Sequence, residues 1–230
     1  MRYNIFYQIH KGLRALLYDT QLLLQRTDYT SSDELAIAVE RIQLVVDLFE
    51  DHAHHEDSMI LPAIKEFEPS VVDLFEQEHE KDHQLSKDLE HCVQALQLAS
   101  SSVKQGMGSL LEKTFLEFTI FNLQHMAKEE DLLNKLLWRY YKDDEIKSIH
   151  QQILLSLNQQ MTVEGSKWMM RGLNNRDILN WLRQVEKSAP QEVFLQLLDL
   201  AKNELPAERF IKVSEAASLT QLVPETVNAN

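Results

Sequence analysis

HAHHED, residues 52–57, sets a histidine and a glutamate four positions apart, His52 and Glu56. On an α-helix that spacing puts both side chains on one face. The arrangement returns in HMAKEE, residues 125–130, as His125 and Glu129, and between the two lies a third pair, His79 and His83. Upstream, His10 falls on the apolar stripe of the N-terminal segment. A single helical histidine is ordinarily a surface or core residue, but three such pairs on separate segments, with a fourth segment adding His10, point four helices at one metal centre. Imidazole nitrogen combined with carboxylate oxygen suits iron, zinc or manganese rather than calcium or magnesium.

The chain around these pairs reads as all helical. Only 5 Gly and 5 Pro occur in 230 residues, and the apolar residues recur every three or four positions instead of alternating. A first helix is expected from Arg2 to Arg26, with Ile5, Ile9, Leu13, Leu16, Leu17 and Leu23 facing inward. After a turn over Thr27 to Ser32, a second helix is capped by Ser32, with Asp33 and Glu34 favoured by the dipole in its first turn. It runs to about Glu68 and is kinked by Pro62. The third extends from Pro69-Ser70 to about Ala99, Ser100 to Gly108 form a connection, and the fourth ends near Tyr141. Four long helices with short links predict an up-down-up-down four-helix bundle over residues 1–142. The echo between residues 52–57 and 125–130 gives it a pseudo-twofold.

Beyond the bundle, a C-terminal helical extension is expected. Residues 143–161 form one further helix, and Gly165, Gly172, Asn174-Asn175, Pro190 and Pro206 divide the remainder into short pieces. Residues 143–213 make an accessory subdomain and 214–230 a flexible tail. The apolar clusters around Trp168, Trp181 and Phe194 are expected to pack on the bundle, on a second copy in a homodimer, or on a protein partner.

A net charge of −13 leaves no basic stripe for phosphates, so neither nucleic acid nor an anionic membrane is an expected partner. Cys92 is the only cysteine, which excludes an intramolecular disulfide, a cysteine-ligated zinc ribbon and an iron–sulfur cluster. The first segment carries polar residues at helical intervals and lacks the apolar run of a signal peptide or membrane span. A cytoplasmic protein is expected. His54, His55, His91 and His150 lie off the paired pattern and read as structural or solvated, and Cys92 as an inert thiol.

Spacing also weighs against a ferritin-like carboxylate bundle, which needs Glu-x-x-His on each of two helices. Here Glu76-x-x-His79 and Glu80-x-x-His83 share one helix, and Asn122 stands where the fourth helix would need a glutamate.

Residues 2 to 142 resemble the hemerythrin-like, or HHE cation-binding, family. Its members carry one His on the first helix, His-x-x-x-Glu on the second, His-x-x-x-His on the third, and His followed by a carboxylate on the fourth. The resemblance implies two non-haem iron ions, with zinc or manganese as other candidates. His79, His83 and His125 would serve one ion, His10 and His52 the other, and Glu56 with the fourth-helix carboxylate would bridge both alongside an oxo or hydroxo group. Glu129 lies about 40° round the helix from His125 against about 140° for Glu130, which favours Glu129 unless the helix is bulged there. That ligand set leaves one open position, so the resemblance implies binding of dioxygen or a similar small diatomic for storage, delivery or sensing, without turnover. The alternatives are a di-iron oxidoreductase (peroxidase, ferroxidase, or nitric-oxide and iron–sulfur-repair chemistry) and a zinc-containing structural or interaction protein.

Overall fold

A computed structural model describes residues 2–217. All regular structure among them is helical. Four long helices dominate, α1 (Tyr7–Arg26), α2 (Ser32–His55), α4 (Pro69–Leu98) and α5 (Ser101–Lys128). A short α3 (Leu61–Lys65) continues α2, and α6 (Asn134–Tyr140) continues α5. Helix α1 packs on α2 and α5, and α4 packs on the same two.

The long helices, with the segments that precede or continue them, build two apolar layers. One contains Leu13, Leu16, Ile42, Phe49, Leu89, Leu111 and Phe118, and the other Ile5, Phe6, Ile60, Ile64, Phe75, Leu133 and Leu137. In chain order, second-layer residues precede first-layer ones around α1 and along α4, and follow them through α2–α3 and α5–α6. His10, His52, His79 and His125 fall where each helix crosses between them, so a polar stratum lies between two dry ones.

Two single π-turns interrupt the helices, one at Glu56–Ile60 and one at Glu129–Leu133. At the end of each, the backbone N–H of Leu61 or Asn134 donates to the glutamate carbonyl five residues back. Such bulges concentrate at functional sites. Pro62 was expected to disturb the second helix; the disturbance is the π-turn just before it, and the fourth helix makes the same turn with no proline.

Three boundaries differ from expectation: the first helix opens at Tyr7 and not at Arg2, and two others shift. The cap of α2 is Ser31, whose side chain accepts from Glu34 N–H at 3.5 Å, one residue ahead of Ser32. The segment Ser101 to Gly108 belongs to α5 and is not a connection. Gly108 is there to admit a neighbour: a Cβ would stand 2.1 Å from the ring of buried Tyr29.

The expected helix over 143–161 is two helices, α7 (Asp143–Ser156) and α8 (Gln159–Gly172), the second capped by Asn158. Ile146 of α7 is buried in the second layer, and α8 lies along α1, sending Trp168 into the first layer. The approach is close because both helices carry glycine there. A Cβ on Gly172 would be 2.2 Å from the Lys11 carbonyl oxygen, and one on Gly12 would be 2.8 Å from Met169 N. Helices α9 (Asn175–Ser188), α10 (Gln191–Glu204) and α11 (Ala207–Ala216) gather with Met170 around a third cluster that includes Ile178, Leu182, Phe194 and Phe210. Pro190 and Pro206 stand at the starts of α10 and α11, where a missing N–H costs nothing. Of the tail expected from residue 214, Ser214 to Ala216 complete α11 with Ser214 buried; residues 218–230 lie outside the described residues. Among the described residues no helix is long and apolar enough to cross a membrane.

Candidate metal centre

Six side chains meet in the polar stratum. His10, His52, Glu56 and Glu129 form one group, and Glu56, His79, His125 and Glu129 a second, each offering ligand atoms all within 4.8 Å of one another. The two glutamates belong to both. Oε1 of Glu56 lies 3.2 Å from His52 Nε2 while its Oε2 lies 3.3 Å from His79 Nε2. Glu129 mirrors it, with Oε1 2.9 Å from His125 Nε2 and Oε2 3.3 Å from His10 Nε2. Within the groups, the Nε2 atoms of His10 and His52 stand 3.2 Å apart, and those of His79 and His125 stand 3.1 Å apart. Each carboxylate thus presents one oxygen to each histidine pair.

The inward direction of the rings is held from behind. Glu130 Oε1 lies 2.9 Å from His10 Nδ1, Asp57 Oδ1 2.6 Å from His79 Nδ1, and Glu78 Oε2 2.8 Å from His125 Nδ1. A carboxylate only accepts, so Nδ1 donates in all three, and Nε2 is the nitrogen left to turn a lone pair to the centre when a metal displaces any proton there. Arg14 ties down Glu130 at 2.9 Å, and Lys128 pairs with Glu78. The repeat in the sequence acquires a physical meaning here: Glu56 and Glu129 face the centre, while the acids that follow them, Asp57 and Glu130, orient a histidine of a neighbouring helix.

Electrostatics in the metal-free protein follow from burial and proximity. Desolvation and the neighbouring Glu129 push Glu56 well above the usual carboxylate range. Burial acts in the same direction on Glu129, but His125, His79 and His10 outweigh it and hold that carboxyl well below its ordinary value. Burial would lower His79, yet Asp57, Glu129 and Glu56 prevail and push it up to about 12. His125 is carried up to about 9 in the same way, chiefly by Glu129 against desolvation. His52, desolvated and facing His10, is pushed down to about 3. Protons therefore stand in for positive charge between the two acids.

With Nε2 of the facing rings deprotonated, as a metal requires, all four carboxylate oxygens of Glu56 and Glu129 are buried without a hydrogen-bond partner among the described residues. Unpartnered buried acceptors are expensive, and four converging on two pairs of imidazoles constitute a donor set that fits divalent cations.

Of the predicted site residues, the structure brings together His10, His52, Glu56, His79, His125 and Glu129, and leaves His83 outside both groups. The His83 side chain is 55% exposed, with Nδ1 3.1 Å from Glu50 Oε1. The inner stripe of α4 runs Val72, Phe75, His79, Asp82, Ser86, Leu89 and Leu96, a three-four alternation from which position 83 departs. Asp82 takes the inward place and accepts from Asn122 at 2.6 Å. The π-turn at Glu129 does not bring Glu130 inward, because it begins after the regular turn linking His125 to Glu129. Asp57, Glu78 and Glu130 were missed as orienting groups. The two acidic dipeptides, Glu56-Asp57 and Glu129-Glu130, were the signal available for two of them.

Comparison with curated proteins and with solved structures gives no match. The model of the hemerythrin HHE cation-binding domain matches residues 1–137, a span that contains all six converging side chains and both acids that orient the rings of His10 and His79. The chain belongs to the hemerythrin HHE cation-binding domain family.

Proposed function

We propose that the chain is an up-down-up-down four-helix bundle holding two non-haem iron ions, and that it binds dioxygen or a similar small diatomic reversibly beside them. The observation that carries this reading is the sharing of Glu56 and Glu129, one oxygen of each to each histidine pair. Two imidazoles and two carboxylate oxygens would serve each ion, a set short of the six donors iron takes. A pair of ferrous ions, when bound, supplies electrons and open positions to dioxygen.

The chain's own residues do the rest. Glu130, Asp57 and Glu78 hold three rings in the ligating tautomer. Phe6 packs on the His10 ring and Phe75 and Phe121 on that of His125, at centroid distances of 5.1, 5.7 and 5.9 Å. Apolar contacts of this kind shield the His10 and His125 rings from bulk water, which favours a reversible adduct over oxidation of the metal. His52, 13% exposed, is the most accessible of the six, so a small ligand reaches the His10/His52 half first. In this reading the protein works in the cytoplasm.

A di-iron oxidoreductase would use the same centre, and the wide cavity bordering His52 and Glu56 favours it as a second reading. Anaerobic loading with ferrous iron followed by oxygen separates the two. Carriage predicts a visible absorption band that disappears on deoxygenation and returns on re-exposure; a single irreversible conversion to ferric iron would sink it, and sustained turnover with peroxide or nitric oxide would favour the enzyme.

A further inference from the structure

The C-terminal helices do more than cover α1. Between them, the N-terminal segment leading into α1 and the end of α2 lies a cavity of about 1430 Å³ whose lining includes His52 and Glu56. Ligand pockets commonly run to about 1,000 Å³, and a diatomic needs no more room than a water, about 30 Å³. The space is too large for the small ligand proposed above.

Its lining says what would fill it. Ile9, Leu48, Met161, Met169, Trp181 and Leu197 supply an apolar wall. The charged groups inside, Glu56 of the metal centre apart, are already engaged or open to solvent. Arg2 binds Asp143 and the carbonyls of Trp138 and Tyr141; Glu130 pairs with Arg14, Asp177 with Lys11 at 2.9 Å, and Asp51 with His55 at 3.5 Å. Arg176 and Asp199, the other charged lining residues, are solvent-exposed. Burying a charged ligand here would leave it unpaired, at high cost.

Gly165 gives an independent indication. It is buried in the middle of α8 and borders the cavity, yet a Cβ added to it would meet nothing within 4 Å. Mid-helix glycine costs roughly 1 kcal/mol against alanine; at Gly12, Gly108 and Gly172 a neighbour's close approach accounts for it, and Gly106, which has no neighbour either, is solvent-exposed where Gly165 is buried. Among the described residues no such neighbour stands at Gly165; what the glycine preserves is open volume.

We propose that this cavity binds an uncharged, predominantly apolar organic molecule, lying with one end against His52 and Glu56. The inference goes beyond the metal reading and stands without it, since the cavity walls are protein alone. The test titrates the full chain, metal-free and metal-loaded, with the uncharged solvatochromic dye Nile red, and then displaces the dye with dodecan-1-ol or dodecanoate. Saturable binding of one dye per chain is expected in both forms, with dodecanol displacing it at least tenfold more effectively than dodecanoate. Gly165→Trp, which projects into the open space, should weaken dye binding at least tenfold. Gly165→Ala and the distant Gly106→Trp, whose Cβ also meets nothing within 4 Å, should stay within twofold of the parent, all three variants being checked for helicity and melting temperature. Absence of saturable binding, equal affinity in Gly165→Trp, or equal displacement by dodecanoate would overturn the proposal.

Discussion

Loading the metal-free protein with a divalent cation at pH 7 should expel protons, and the geometry sets their number. His125, pushed up to about 9, and His79, pushed higher still, both hold a proton at pH 7, and burial beside Glu129 shifts Glu56 in the same sense. A metal ligand must give its proton up. His52 and Glu129 are already deprotonated and contribute none. At least about two protons per chain should therefore leave on full loading, and the overall affinity should rise by at least about two powers of ten per pH unit near neutrality. For His125 alone, displacing a proton two pH units below its pKa costs roughly 3 kcal/mol. Zinc titrations by calorimetry, run in buffers of different ionisation enthalpy, count the protons without redox complications. The same groups set the stability of the metal-free fold. A histidine raised from 6.5 to about 9 stabilises fully below about pH 6.5 and loses that contribution as pH climbs through 9; a raised carboxyl such as Glu56 acts in the same sense. The metal-free melting temperature should thus fall from pH 6.5 to 9 while the increment on adding metal grows. Release of fewer than one proton, or an affinity flat between pH 6 and 8, would refute this account of the centre's charge.

Other substitutions test separate parts of the structure. Glu56→Gln or Glu129→Gln removes a carboxylate common to both groups, so elemental analysis should show loss of both ions together; retention of one full equivalent would contradict the sharing. His83→Ala removes a ring paired with Glu50 at the surface, and metal content should remain at the parent value. Gly172→Ala drives a methyl into the Lys11 carbonyl, a backbone atom that no rotamer change relieves, and should cost about 1–3 kcal/mol, read as a lower denaturant midpoint. Gly165→Ala, with open space around its Cβ, should instead leave the midpoint unchanged or raise it by up to about 1 kcal/mol.

What was legible in the sequence was what helical periodicity encodes. The four long helices appear in the expected order with some ends displaced, and the i, i+4 pairs His52/Glu56 and His125/Glu129 face one stratum because a regular turn links each pair. His79/His83 has the same spacing but straddles the inner stripe of α4, and only the alternation Val72, Phe75, His79, Asp82, Ser86 tells which member turns inward. Gly106 and Gly108 suggested a link because glycine breaks helices on average, whereas Gly108 in α5 is a seat for the Tyr29 ring, a tertiary contact invisible in local sequence. The π-turns leave no compositional mark. The docking of α8 on α1 depends on Gly12 and Gly172 meeting from opposite ends of the chain, information that propensity does not carry.

The most direct test is anomalous diffraction at the iron edge from crystals loaded anaerobically with ferrous iron. Two peaks should appear, one between His10 and His52 and one between His79 and His125, each in contact with both Glu56 and Glu129. A single peak, or density beside His83 and Glu50, would contradict a centre built on shared carboxylates.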